Sequence, residues 1–221
     1  MTFELLSVSL ATILVVITSI FIIYRLRPSR ALEVPKMPED LGLMSISPES
    51  IILCKNLATA LPNSVIFPHD VAAFKKSMNS YWAQQECEVI PACVVRPRDA
   101  PQLSTAVTIL KQEHDKREKD VNQGKAKGIF AIRGGGHSPI SGAASIKGGV
   151  VIDLGLFSEV LVSEDGSSVT IGAGAKWLDV FKVLDEKGLA VVGGRNSAVG
   201  VGGLTLGGKI LISPHLLSLD F

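Results

Sequence analysis

Residues 130–144 read Phe-Ala-Ile-Arg-Gly-Gly-Gly-His-Ser-Pro-Ile-Ser-Gly-Ala-Ala, and this stretch carries the densest chemistry of the chain. A short apolar run ends at Arg133, and Gly134, Gly135 and Gly136 then stand before His137 and Ser138. Glycine loses more backbone freedom on folding than any other residue, so a triplet marks a place where something comes very close to the main chain. An imidazole titrating near physiological pH is the most versatile side chain to set there. The residues alone leave three readings open: a tight structural turn, a phosphate cradle, or the edge of a cofactor site with His137 as the chemical group. A second glycine group, Val199-Gly200-Val201-Gly202-Gly203-Leu204-Thr205-Leu206-Gly207-Gly208, follows another apolar stretch. Both loops can expose backbone N–H groups able to bind an anion.

Neither group has the spacing of the common nucleotide motifs. Gly-x-Gly-x-x-Gly between a strand and a helix is missing, and no Gly-Lys-Ser/Thr follows either loop, which argues against a nicotinamide Rossmann domain and a P-loop. Acidic and basic residues nearly balance, 21 against 22, so no global field draws the chain to nucleic acid. Cys54, Cys87 and Cys93 lack metal-ligand spacing and are too few for a disulfide scaffold. They are three buried thiols, or one pair that bridges and one that stays free. No metal site is indicated.

The elements that must position these loops have the texture of an α+β fold. The spacing predicts helices over Ser-Ile-Ile-Leu-Cys-Lys-Asn-Leu-Ala-Thr-Ala-Leu, residues 50–61, and over 70–84, where Val71, Phe74, Met78 and Trp82 recur at helical intervals behind Asp70. Ala92–Pro97 reads as a short buried strand, and Asp99 caps a helix carrying Leu103, Val107 and Leu110. The charged run around His114 reads as a solvated helix end and loop. Three β-branched runs closed by glycine follow, ending near Gly134, Gly155 and Gly174. A short amphipathic helix with Trp177, Phe181 and Leu184 inward stops at Gly188, and Leu189–Gly194 is read as one more strand.

The amino terminus is organised differently. Residues 5–24 are twenty residues without a charge, enough at about 1.5 Å per residue to span a bilayer core. Arg25, Arg27 and Arg30 follow, and Glu4 precedes. That order predicts an uncleaved single-pass membrane anchor over residues 1–27 rather than a secretory signal, and a linker over the Pro-rich residues 28–49. The positive-inside rule would leave the carboxyl side cytosolic, with passage into the secretory pathway as the alternative.

The stretches Phe130–Ala144, Gly148–Leu154, Val169–Phe181 and Gly188–Gly208, with Tyr81–Pro97 upstream, together resemble the FAD-linked oxidoreductases of the berberine-bridge-enzyme type. These share the FAD-binding domain of vanillyl-alcohol oxidase and p-cresol methylhydroxylase (the PCMH type), and the match is closest in texture to the fungal branch serving secondary metabolism. The resemblance covers about residues 50–208 and implies a PCMH-type FAD-binding domain. It implies that His137 bonds covalently to the 8α-methyl carbon of the flavin, and that Gly134, Gly135, Gly136 and Ser138 lie along the FAD pyrophosphate. Arg133 would add charge nearby or serve a structural ion pair. Gly200, Gly202, Gly203 and Thr205 match the second loop along the cofactor. Bicovalent relatives carry a cysteine where this chain has Asn196, so a single covalent bond is implied. Many relatives are secretory and tie an early cysteine into a bridge, which implies Cys54 with Cys93.

The functional expectation is oxidation of a small-molecule secondary metabolite, with hydride passing to the flavin and molecular oxygen reoxidising it. The family pattern continues into a substrate domain that supplies the catalytic base, whereas here Lys209 stands where a further glycine is expected and the sequence ends at Phe221. Residues 50–221 are therefore expected to be a FAD domain incomplete at its carboxyl end, with no catalytic base assignable. A truncated inactive homologue, or a membrane-tethered flavin- or partner-binding module, are the alternatives.

Overall fold

The computed structural model of the chain describes residues 46–119 and 128–208. The anchor read over residues 5–24 and the linker up to residue 45 lie outside the described residues, as does everything after Gly208. Among the described residues no helix is long and apolar enough to cross a membrane.

Helix α1, Pro48–Ala60, starts where Ser47 accepts a hydrogen bond from the Ser50 N–H at 3.2 Å and Pro48 sits in the first turn. Helix α2 is Val71–Met78 and α3 is the single turn Gln84–Cys87. Helix α4, Ala100–Lys119, is capped as expected, with Asp99 Oδ1 accepting from the Gln102 N–H at 2.8 Å. The charged run supplies the last turns of this helix, which ends at Lys119, and Glu113–Arg117 pairs one turn apart at 2.8 Å. His114 sits in that face, near Asp115 and Glu118.

Three of the runs read as strands, those around residues 93, 130 and 150, pair in one sheet. Strands β1 (Val65–Ile66), β2 (Cys93–Val95), β3 (Phe130–Arg133) and β4 (Val150–Asp153) lie in the order β1-β2-β4-β3, with β2, β4 and β3 parallel and β1 antiparallel at the edge. Both β2 and β4 are buried along their whole length, as parallel strands covered on two faces must be. Alternation then sorts their side chains. Cys93, Val95, Val150 and Ile152 pack with Leu53 and Leu57 of α1 and Leu110 of α4, while Val94 and Val151 pack with Phe74, Met78, Tyr81 and Cys87. A disulfide joins Cys54 of α1 to Cys93 of β2, the pairing the family resemblance implied, and Cys87 is free and buried.

A second, two-stranded sheet pairs β5 (Val160–Val162) with β6 (Val169–Ile171). It packs on helix α5, Trp177–Asp185, and the short helix α6, Val201–Leu206, through Trp177, Val180, Leu184 and Val201. Gly188 stops the chain after α5 with φ +66°.

Two expectations about elements are corrected. Leu189–Gly194 is not a strand: Val191 packs into the cluster beneath α5, and Gly193 and Gly194 lie under the Trp177 indole. A side chain at Gly193 would start 2.4 Å from the Trp177 ring, so contact with an aromatic face takes the place of a ladder. The apolar stripe of α2 is also shorter than its spacing suggested. Phe74 and Met78 are fully buried, but Val71 is exposed and the helix ends before Trp82. Asp70 makes no side-chain cap there and instead accepts from the Phe67 N–H at 3.4 Å.

Candidate functional site

The connection from β3 to β4, residues 134–149, carries the glycine triplet and His137. Because the two strands are parallel neighbours, the chain must leave the carboxyl end of one and return to the amino end of the other, and here it does so without a helix. What holds this loop is the segment Tyr81–Val89. Glu86 is fully buried, and its Oε1 accepts from the N–H groups of Ala143 and Ala144 at 2.9 and 3.0 Å while Oε2 accepts from Gly142 at 3.3 Å. The Tyr81 hydroxyl donates to Ala144 O at 2.8 Å, Ser145 Oγ donates to Val89 O at 2.7 Å, and Gln85 Nε2 donates to Pro139 O. The Trp82 N–H donates to Gly136 O at 2.9 Å, closing the loop at its start. A buried carboxylate is tolerable only when its lone pairs are answered, and three main-chain donors answer this one.

Between this loop and the second glycine run lies an open groove of about 410 Å³. Gly134, Gly135, Gly136, His137 and Ser138 line one side, and Val199, Gly200, Gly203, Leu204 and Gly207 line the other. Ile132, about half exposed, forms part of its apolar floor. The two loops touch. A Cβ on Gly135 would stand 2.5 Å from Gly200 Cα, and one on Gly200 would stand 2.5 Å from the Gly135 nitrogen. These two glycines therefore lack side chains for each other's sake, not only for a ligand's. Gly136 has φ +63°, a conformation that favours glycine. Gly203 differs from the rest, since a Cβ there meets nothing within 4 Å and would project into open space.

His137 is half-buried and its ring stacks on Trp82, with centroids 4.6 Å apart and planes at 14°. Its Nε2 is buried and has no hydrogen-bond partner among the described residues. The N–H groups of Gly135, Gly136 and His137 likewise donate no hydrogen bond among the described residues. Ser138 lines the groove and its Oγ accepts from the Ile140 N–H at 3.1 Å.

The remaining residues read from the sequence act at one remove. Arg133 is only 3% exposed and does not line the groove. Its guanidinium donates to Ser77 O and Ser77 Oγ at 2.8 and 2.7 Å, pairs with Asp153 at 2.7 Å, and lies 4.5 Å above the Tyr81 ring. Of its two readings, charge beside a cofactor and a structural ion pair, the structure holds the second, because both terminal nitrogens of the guanidinium are taken by Ser77 and Asp153. Gly202 seats α6 against Ala173, where a Cβ would come within 2.7 Å of the carbonyl oxygen. Thr205 Oγ1 donates to Val201 O at 2.9 Å. Trp82, Glu86 and Tyr81 were not picked out from the sequence as site residues. The only signal was local, an aromatic pair and an acid within the resembling Tyr81–Pro97 stretch, and their partners lie more than fifty residues away.

These features fit a nucleotide cofactor: main-chain donors without partners, an orphaned imidazole nitrogen, and a glycine facing open space in one groove. A family model described as a FAD binding domain matches residues 91–211. The chain belongs to that FAD-binding domain family. Among its relatives, the FAD-dependent monooxygenase prx3 of Penicillium roqueforti is 39% identical over 167 residues, covering 75% of this chain and 30% of that protein. The FAD-dependent monooxygenase CTB5 of Cercospora beticola is 36% identical over 151 residues, covering 68% of this chain and 27% of that protein. The chain thus spans under a third of the length of these relatives. In fold it is similar to the BBE-like 1 protein of Physcomitrella patens in its D396N variant (TM-score 0.53, 21% identity, 68% of this chain and 29% of that one). It is similar too to the xylooligosaccharide oxidase of Myceliophthora thermophila (TM-score 0.51, 23% identity, 70% and 29%).

Proposed function

We propose that this chain supplies the FAD-holding part of an oxidoreductase that oxidises a small secondary metabolite, with molecular oxygen as the final electron acceptor. The observation that carries the reading is the placement of His137, with an unpartnered ring nitrogen, beside unpartnered main-chain donors on one wall of a groove. Its fungal relatives, named FAD-dependent monooxygenases, support it.

On this reading the residues of the groove divide the work. The N–H groups of Gly135, Gly136 and His137 hold the diphosphate, as a nest of main-chain donors holds an anion. Gly134 and Ser138 shape that wall, and Gly200 and Gly203 keep the opposite one low enough for a nucleotide to lie in the groove. Gly202 and Thr205 fix α6 behind it. When bound, FAD supplies a two-electron acceptor that takes hydride from a substrate and passes electrons to oxygen. His137 is the point of covalent attachment, and Asn196 offers no thiol for a second bond. Asn196 Oδ1 instead accepts from the Ala198 N–H at 3.0 Å.

Residues 5–24 anchor the protein in a membrane; this rests on their charge-free length alone. The Cys54–Cys93 bond favours the secretory side for the FAD domain over the cytosolic one, because disulfides persist in oxidising compartments.

The test is a denaturing gel of the full chain produced with FAD, acid-fixed and viewed for flavin fluorescence. Wild type gives an acid-stable fluorescent band and His137→Ala gives none while still binding FAD reversibly. Folded wild-type protein that takes up no FAD at all would sink the reading.

A further inference from the structure

We infer that Trp82 is a positioning residue for covalent attachment at His137, an inference that rests on the reading of the groove as the FAD site. Trp82 is 55% exposed, an unusual place for an indole that no core requires. Its position is nonetheless fixed. The Trp82 N–H donates to Gly136 O at 2.9 Å, which delivers the indole onto the ring of the next residue in the loop, His137. The two rings lie 4.6 Å apart and within 14° of parallel.

A reactive histidine is normally oriented by a hydrogen bond on its second ring nitrogen. No side-chain or main-chain group among the described residues hydrogen-bonds the His137 imidazole, and its Nε2 is buried without a partner. The indole face is therefore what holds the plane of this imidazole. Stacking prefers near-parallel, offset rings, so it resists rotation about the Cβ–Cγ bond while leaving the nitrogens free to react.

Attachment forms one bond, from an imidazole nitrogen to the 8α carbon of the flavin, and breaks two, the imidazole N–H and one C–H of the 8α methyl group. The two hydrogens and two electrons released leave, in the net reaction, on molecular oxygen as hydrogen peroxide. An imidazole turned out of its attack plane would slow this without altering the grip on the diphosphate, because the Trp82 main-chain contact to Gly136 survives any substitution of the side chain except proline.

The experiment follows acid-stable flavin fluorescence against time after FAD is added to the full-length apoprotein, for wild type, Trp82→Leu and Trp82→Phe. Reversible FAD affinity is measured separately in a His137→Ala background, with and without Trp82→Leu. Leucine keeps apolar bulk but has no flat face; phenylalanine keeps the face. Trp82→Leu is expected to slow attachment by about tenfold or more, with Trp82→Phe within about threefold of wild type and reversible affinity changed by less than about threefold. Attachment by Trp82→Leu at the wild-type rate would overturn the proposal. So would an equal loss in the leucine and phenylalanine variants, or a fall in reversible affinity as large as the fall in rate, since either would mark the indole as packing or as a wall of the binding groove. Wild type that binds FAD reversibly and never forms an acid-stable band would sink the covalent role of His137 itself, a different result from any of these.

Discussion

Gly135 and Gly200 stand back to back, each occupying the place where the other's Cβ would be, 2.5 Å from the partner's main chain. The contact joins the loop after β3 to the start of α6, and through it the two walls of the groove keep a fixed spacing. Main chain cannot yield as a flexible side chain can.

Gly135→Ala is therefore expected to destabilise the protein by about 1–3 kcal/mol, and to weaken FAD binding, because the loops must separate. Gly203→Ala should behave in the opposite way for stability, since its Cβ meets nothing within 4 Å and alanine is favoured over glycine in a helix by about 1 kcal/mol. It should still weaken FAD binding by intruding into the groove. Urea unfolding of the apoproteins together with FAD titration separates the two cases.

Glu86 gathers three main-chain N–H groups from Gly142, Ala143 and Ala144. In Glu86→Gln an amide nitrogen must replace one acceptor oxygen, setting donor against donor. A loss of about 2 kcal/mol is expected, the scale of a hydrogen bond to a charged group. Hydrogen exchange should quicken at those three amides before it does in β4, and uniform protection across the loop would contradict the assignment.

Tyr81 gives the hold on the loop between β3 and β4 a pH dependence. Burial pushes its phenol above the ordinary value of 10, outweighing the opposing effect of Arg133. The folded protein thus holds this proton more tightly than the unfolded chain does. The contribution is complete below about pH 10 and is lost as pH rises through the higher folded value. Tyr81→Phe should lose the Ala144 hydrogen bond and, with it, this part of the alkaline fall in stability. Denaturation midpoints of both proteins measured from pH 8 to 11, about one to two units either side of the phenol's usual range, decide the point.

The Cys54–Cys93 bond closes a stretch of 39 residues between α1 and β2. Loop-closure entropy for that length predicts a stabilisation of about 4 kcal/mol. Unfolding in the presence of a thiol reductant should shift accordingly, with Cys87 unreactive in the native state because it is buried and its thiol is pushed up by burial. An unchanged midpoint on reduction would count against the bond.

What the sequence determined was whatever local composition can encode. Short β-branched runs closed by glycine became β3, β4 and β6, Asp99 capped α4, and Gly188 stopped the chain after α5. The two glycine loops and His137 stood out because losing several Cβ atoms in a row is costly without a reason. Tertiary structure decided what those glycines serve. It spent Gly135 and Gly200 on each other, turned Arg133 inward to Asp153 and Ser77, and laid the Trp82 ring on His137. It also removed the strand expected at Leu189–Gly194, where an indole lies against the backbone instead of a neighbouring strand. The reason is common to all four. A run's apolar pattern reports which way its own side chains prefer to face, whereas contacts between separate segments depend on which elements become neighbours, and that is settled only when the whole fold closes.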